Sequence, residues 1–122
     1  MTEDAKGTMK PFKFRLDKIL DYRSYLMKRA QVDLSNARYE CRQREKEIER
    51  LARQRTEVAK QCSDEGIKGI DVVRYQIFQA FLQKLESDLK KAHFLLQEGL
   101  KQVMEKEAIL NKASIKTKVL ES

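Results

Sequence analysis

Few side chains in this 122-residue chain could do chemistry. There are two cysteines, Cys41 and Cys62, and a single histidine, His93. Two thiols are too few for a four-cysteine zinc site or a disulfide-stapled scaffold. On one helix, 21 residues apart, they would be ~31 Å from each other and could not bond. Both fall at apolar heptad positions, where a free cysteine acts as a small hydrophobe. His93 falls beside the apolar position Ala92 and reads as a flank residue. The chain has no GxxxxGK(S/T) phosphate loop and no GxGxxG, HExxH or GxSxG motif. The expectation is a non-enzyme with no metal, no cofactor and no small-molecule substrate.

Charged residues make up 37% of the sequence and aromatic residues 7%, with one Pro, four Gly and no Trp. That balance cannot build a large globular core, but 41% apolar content is too high for plain disorder. The best helix formers dominate, the profile of long helices or a coiled coil. The net charge of +7 is uneven. Residues 12–62 hold 14 basic and 8 acidic side chains, and residues 63–122 hold 10 and 9. Nine of the ten arginines lie in the first stretch. Such an excess suits nucleic acid, acidic lipid or an acidic protein. Interleaved acids also make it a plain solvated helix face. Residues 1–11 lack the apolar core of a secretory signal, and no run approaches a membrane span. The chain reads as cytosolic with reduced thiols.

Residues 1–11 read as a flexible lead-in holding Gly7 and Pro11. A strict three–four spacing then runs Leu16, Leu20, Arg23, Met27, Ala30, Leu34, Ala37, Cys41, Arg44, Ile48, Leu51, Arg55, Val58, Cys62. This is a coiled-coil seam. It stops at Ser63–Gly69, where two glycines lie close together. Gly66 is placed to cap the first helix, and Asp71 or a nearby residue to open the second, where an acid suits the positive end of the helix dipole. A second seam runs from Tyr75 and Phe78 through Leu82, Leu85, Leu89, Ala92, Leu96, Gly99, Val103, Lys106, Leu110, Ala113 and Thr117 to Leu120. The predicted fold is all-α: a long two-helix antiparallel coiled-coil hairpin forming one domain over 12–122. Its helices are expected at about 14–62 and 71–120, with the turn at about 63–70.

Even packing of large against small layers favours Leu34 opposite Gly99, Ala37 opposite Leu96 and Cys41 opposite Ala92. A one-heptad slip sets Leu34 against Lys106 and Cys41 against Gly99. The preferred register is the first. Arg23, Arg44, Arg55 and Lys106 thin the seam, their stems lying over apolar neighbours and their heads reaching water.

At the start of the second helix, Ile67, Ile70, Val72, Val73, Ile77, Phe78 and Phe81 crowd together, and several lie off the seam. They read either as a cap over the hairpin tip or as a helix-groove docking patch. At the other end Phe12, Phe14, Tyr22 and Tyr25 mix with Lys13, Arg15 and Lys18, a pattern that can bind single-stranded nucleic acid. Helical amphipathicity explains Leu16, Ile19 and Leu20 without a ligand.

Phe12-Lys13-Phe14-Arg15-Leu16-Asp17-Lys18-Ile19-Leu20-Asp21-Tyr22-Arg23 resembles the opening of FliJ-type flagellar export proteins, which start F-x-F-R-L-x-x-(V/I/L)-L-x-x-R. Tyr75-Gln76-x-Phe78-x-x-Phe81-Leu82-x-x-Leu85 and Lys118-Val119-Leu120-Glu121 are similar to later parts of that family, so the resemblance covers about 12–121. Relatives usually continue another charged turn or two past the position of Ser122. The resemblance implies a non-enzymatic, rod-like stalk of the flagellar type III export apparatus, cytoplasmic at the base of the flagellum. Its implied partners are the flagellar export ATPase, the cytoplasmic domain of the export gate, and export chaperones, with membrane association only through partners and no nucleic acid. Carried over by residue, Ile77, Phe78, Phe81 and Leu85 are the gate-facing candidates. Phe14, Arg15, Leu16, Ile19 and Arg23 are the candidates for the ATPase ring. The alternatives are a basic coiled coil associated with nucleic acid and a generic self-associating coiled-coil scaffold.

Overall fold

The computed structural model describes the backbone of residues 2–121 and the side chains of residues 11–120. It consists of two α-helices, α1 (Thr2–Lys68) and α2 (Val72–Glu121), packed together as a hairpin. α1 is helical from Thr2, where the sequence reads as a lead-in, and Pro11 lies inside it. A proline has no N–H to donate to the preceding turn, so the backbone ladder is one bond short at that point.

The connection between the helices is shorter than the expected 63–70 and sits further along the chain. α1 runs through Cys62 and Gly66 and ends at Lys68. The stop signal is Gly69, not Gly66. Gly69 alone among the described residues has positive φ, at 92°, where a Cβ would be strained. Its N–H donates to the Gly66 carbonyl at 3.3 Å, the inner bond of a Schellman-type helix end. Asp71 then opens α2 as the sequence predicts. The Arg74 N–H donates to Asp71 Oδ1 at 2.7 Å and the Tyr75 N–H to the Asp71 carbonyl at 3.0 Å. These are the side-chain and main-chain bonds of an N-cap.

Moving the turn moves the register. A Cβ built on Gly99 would lie 3.0 Å from Cys41 Sγ. Cys41 therefore packs against Gly99, and the preferred pairing of Cys41 with Ala92 is corrected by one heptad. The heptad pattern is unchanged by such a slip, and the matching of large against small layers, which favoured the other register, does not decide it. The helix ends choose it. With α1 continuing to Lys68, the slipped register needs no longer loop.

Chain contacts group into two compact units, Met1–Ala37 with Gln102–Ser122 and Arg38–Lys101. In the first, Ala30 and Leu34 are buried and Leu16, Leu20, Met27 and Lys106 are half-buried. Thr117 is also buried, and its hydroxyl donates to the Ala113 carbonyl at 2.8 Å. That bond satisfies a polar group the seam would otherwise strand. In the second, Leu51, Leu85 and Ala92 form a core joined by Ile48, Val58 and Leu89, while Cys41 and Cys62 are buried thiols. The seam arginines behave as the sequence predicts: Arg44 and Arg55 are exposed, and Arg55 reaches across to Glu86 at 2.9 Å. No large side chain among those described is fully buried.

The Cys41–Gly99 layer gives a direct test of register. A Cβ about 3 Å from the opposite sulfur is the spacing a disulfide imposes, given its S–S bond of ~2.04 Å. Gly99→Cys is expected to close a disulfide with native Cys41 under mild oxidation, and Ala92→Cys is not. Non-reducing mass mapping reads both. At the turn, Asp71→Ala should lower stability by about 1 kcal/mol through loss of the cap, read by thermal unfolding.

Candidate functional site

Among the described residues there is no group of metal-binding side chains, and no helix is long and apolar enough to cross a membrane. The features that can act are surfaces. The first lies at the start of α2. Ile67, Val72, Val73 and Ile77 are 84%, 70%, 66% and 65% exposed. Among the described residues nothing folds over them, in contrast to the cap reading. Ile77 and Phe81 are four residues apart and so share one helix face. Phe81 is 37% exposed. Phe78 is half-buried on the seam, with the Arg74 guanidinium 5.7 Å from its ring centre. Leu85 is different. It is 3% exposed, inside the core with Leu51 and Ala92. The sequence grouped it with the patch because it follows Phe81 by four residues, but its seam position turns it inward.

The same end carries a charge clamp. Arg74 grips the Glu65 carboxylate through Nε at 2.7 Å and Nη2 at 2.6 Å, joining the last turns of α1 to the first turn of α2. The hydrogen bonds from Arg74 hold the Glu65 carboxyl below its ordinary range, with Arg74's charge adding to the effect against slight desolvation. The same bonds raise Arg74.

The other candidates lie in the unit that holds both chain ends. Phe14, Arg15 and Ile19 are exposed, while Leu16 and Arg23 are half-buried on the seam. Lys18 Nζ lies 4.7 Å above the Phe14 ring, a cation–π contact. The fold thus brings Phe14, Arg15 and Ile19 to accessible positions and commits Leu16 mainly to packing.

One feature escaped sequence reading. A groove of about 580 Å³ runs beside Leu51 and Ala92, walled by Tyr39 and Arg50 of α1 and Asp88 and Lys91 of α2. Both helices build it, so no single stretch of sequence carries its signal. Arg50 is held by Glu47 at 2.6 and 3.0 Å. That hydrogen bonding lowers Glu47 and raises Arg50. Neither group is thereby poised as an acid or base near neutral pH.

The model of the flagellar FliJ protein family matches residues 12–122. The chain belongs to the FliJ family. No curated protein and no solved structure matches it. The match begins at Phe12, where the aromatic-basic opening begins, and includes both helices and the turn. A FliJ protein is a flagellar export-related component, and the family resemblance in the sequence is confirmed over nearly the whole chain.

The tip clamp predicts a pH response. Glu65 has a folded-state pKa below its ordinary value of 4.5. Its contribution is therefore full above the unfolded value and lost as pH falls through the lower, folded one. Amide exchange of residues 67–71, corrected for intrinsic rates, should speed up as pH drops below about 4.5. Glu65→Gln should flatten that response and show fast exchange already at neutral pH.

Proposed function

We propose that this FliJ protein is a non-enzymatic, rod-like stalk of the flagellar type III export machinery, cytoplasmic at the base of the flagellum. The end holding both termini docks in the ring of the export ATPase. The face at the start of α2 contacts the cytoplasmic domain of the export gate. The observation that carries this reading is the exposed apolar patch of Val73, Ile77 and Phe81 on α2. Contiguous exposed apolar surface on a small chain marks a partner site, and the Glu65–Arg74 clamp fixes the turn beside it. Phe14, Arg15 and Ile19 supply mixed aromatic, basic and aliphatic contacts for the ring, with Arg23 at their edge.

Leu85 supports the gate face from beneath and does not touch the partner. A helix-in-groove contact is read by residues three and four apart, which Val73, Ile77, Ala80 and Phe81 satisfy. Export chaperones are further candidate partners. The nucleic-acid alternative relied on the arginine excess. Arg50 and Arg55, two of the nine arginines in that excess, are engaged by Glu47 and Glu86, which favours the protein-binding reading.

Binding of the gate's cytoplasmic domain, measured by calorimetry, tests the assignment. Truncating an interface anchor costs ~2 kcal/mol or more, about thirtyfold in affinity. Ile77→Ala with Phe81→Ala should weaken binding by at least that factor. Ile77→Ala alone should leave stability within about 0.5 kcal/mol. Leu85→Ala should instead lower stability by ~2–5 kcal/mol. Unchanged gate binding in the folded Ile77/Phe81 variant would remove this face from the proposal.

A further inference from the structure

A second apolar stripe runs along α1, separate from the seam that packs on α2. Phe12, Ile19, Tyr22 and Leu26 lie on it at the same three–four spacing, together with Arg15, Arg29 and Asp33. Phe12, Ile19 and Tyr22 are 70%, 46% and 58% exposed. Beside it stand Tyr25 and Val32, both more than half exposed. All belong to the unit formed by Met1–Ala37 and Gln102–Ser122. The apolar stripe does not continue down the helix, since Glu40, Gln43, Glu47 and Arg50 occupy the corresponding later positions. One hairpin has one seam to bury; among the described residues Phe12, Ile19 and Tyr22 of this second stripe stay exposed, and Leu26 and Asp33 are half-buried.

We infer that the stripe docks a second copy of this chain, α1 against α1 in antiparallel orientation. The charge pattern chooses both the occupant and the alignment. In an antiparallel pair the spacing allows Arg15 to face Asp33 of the second copy, and by symmetry Asp33 to face Arg15 of the second copy. The same alignment sets Tyr22 against Leu26 twice at the centre. It brings Tyr25 of the two copies together and lays Ile19 along the Arg29 stem. A slip of one heptad one way places Arg15 against Leu26 and Arg29 against Phe12, with no acid opposite either cation; a slip the other way sets Arg15 against Glu40 but leaves Asp33 opposite Tyr22 and puts Leu26 against Arg29, which breaks up the apolar centre. Among the described residues neither Arg15 nor Asp33 has an ion-pair partner within the chain. Opposite charges at symmetric positions fix register and orientation between helices. The inference does not rest on the ATPase-docking reading. It covers Arg15 and Ile19, so the self-associated form would hide two residues of that candidate surface.

Charge exchange tests it on the full chain alone, by sedimentation equilibrium over about 1–500 μM, the range in which a modest interface populates a dimer. The wild type should rise from 14.4 kDa toward twice that mass. Arg15→Asp and Asp33→Arg should each weaken the dimer about tenfold, because two attractions become two repulsions. The double variant should recover wild-type affinity. Helical circular dichroism confirms that each variant is folded. If a variant unfolds, disulfide trapping between a Tyr22→Cys chain and a Leu26→Cys chain reads the same alignment. Failure to trap there, a monomer throughout the range, a dimer indifferent to the single reversals, or a double variant as weak as the singles would each overturn the inference.

Discussion

A coiled-coil hairpin with a repeating seam can slide by whole heptads without misplacing an apolar residue, so something outside the seam must fix its alignment. In this chain that constraint is the turn. Gly69 accepts a backbone conformation that side-chain-bearing residues resist. Two residues later the Asp71 carboxylate accepts the Arg74 N–H, one of the otherwise unpaired donors in the first turn of α2. Glu65 and Arg74 then tie the two helix ends together. The pairing of Cys41 with Gly99 follows from that geometry, and with it the identity of the residues that line each side of the seam.

The seam itself is thin. Its layers rest on Ala, Cys, Leu and Thr, and of its four cations Arg44 and Arg55 are exposed while Arg23 and Lys106 are half-buried. Small side chains at Cys41 and Gly99 allow the backbones to approach closely, at the expense of the apolar area each layer buries. Less area goes to the interior, and more large apolar side chains remain outside. This division leaves the helices holding exposed apolar faces in place, as the partner contacts proposed above require. The exposed group at the start of α2 and the stripe near the start of α1 are two places where such side chains gather.

Membership of the FliJ family gives these surfaces a setting in flagellar export. Cys41 and Cys62 are buried packing residues, and the charged pairs at Glu47–Arg50 and Glu65–Arg74 hold helix faces and helix ends in place.

The sequence alone determined the fold class, the two helices and the seam positions. A helical stripe is a local property: residues three and four apart share a face whatever lies opposite. Accordingly, all but Arg44, Arg55 and Tyr75 of the seam positions are buried or half-buried. Asp71 as the opening cap was legible for the same reason, since a cap acts within one turn. Only the tertiary structure decided the register, the true stop at Gly69 and the inward place of Leu85. Two glycines were available to end α1, and each choice implies a different alignment of equally good heptads. The groove beside Leu51 and Ala92 exists only once that alignment is made, because its walls come from both helices and neither strand of sequence contains it.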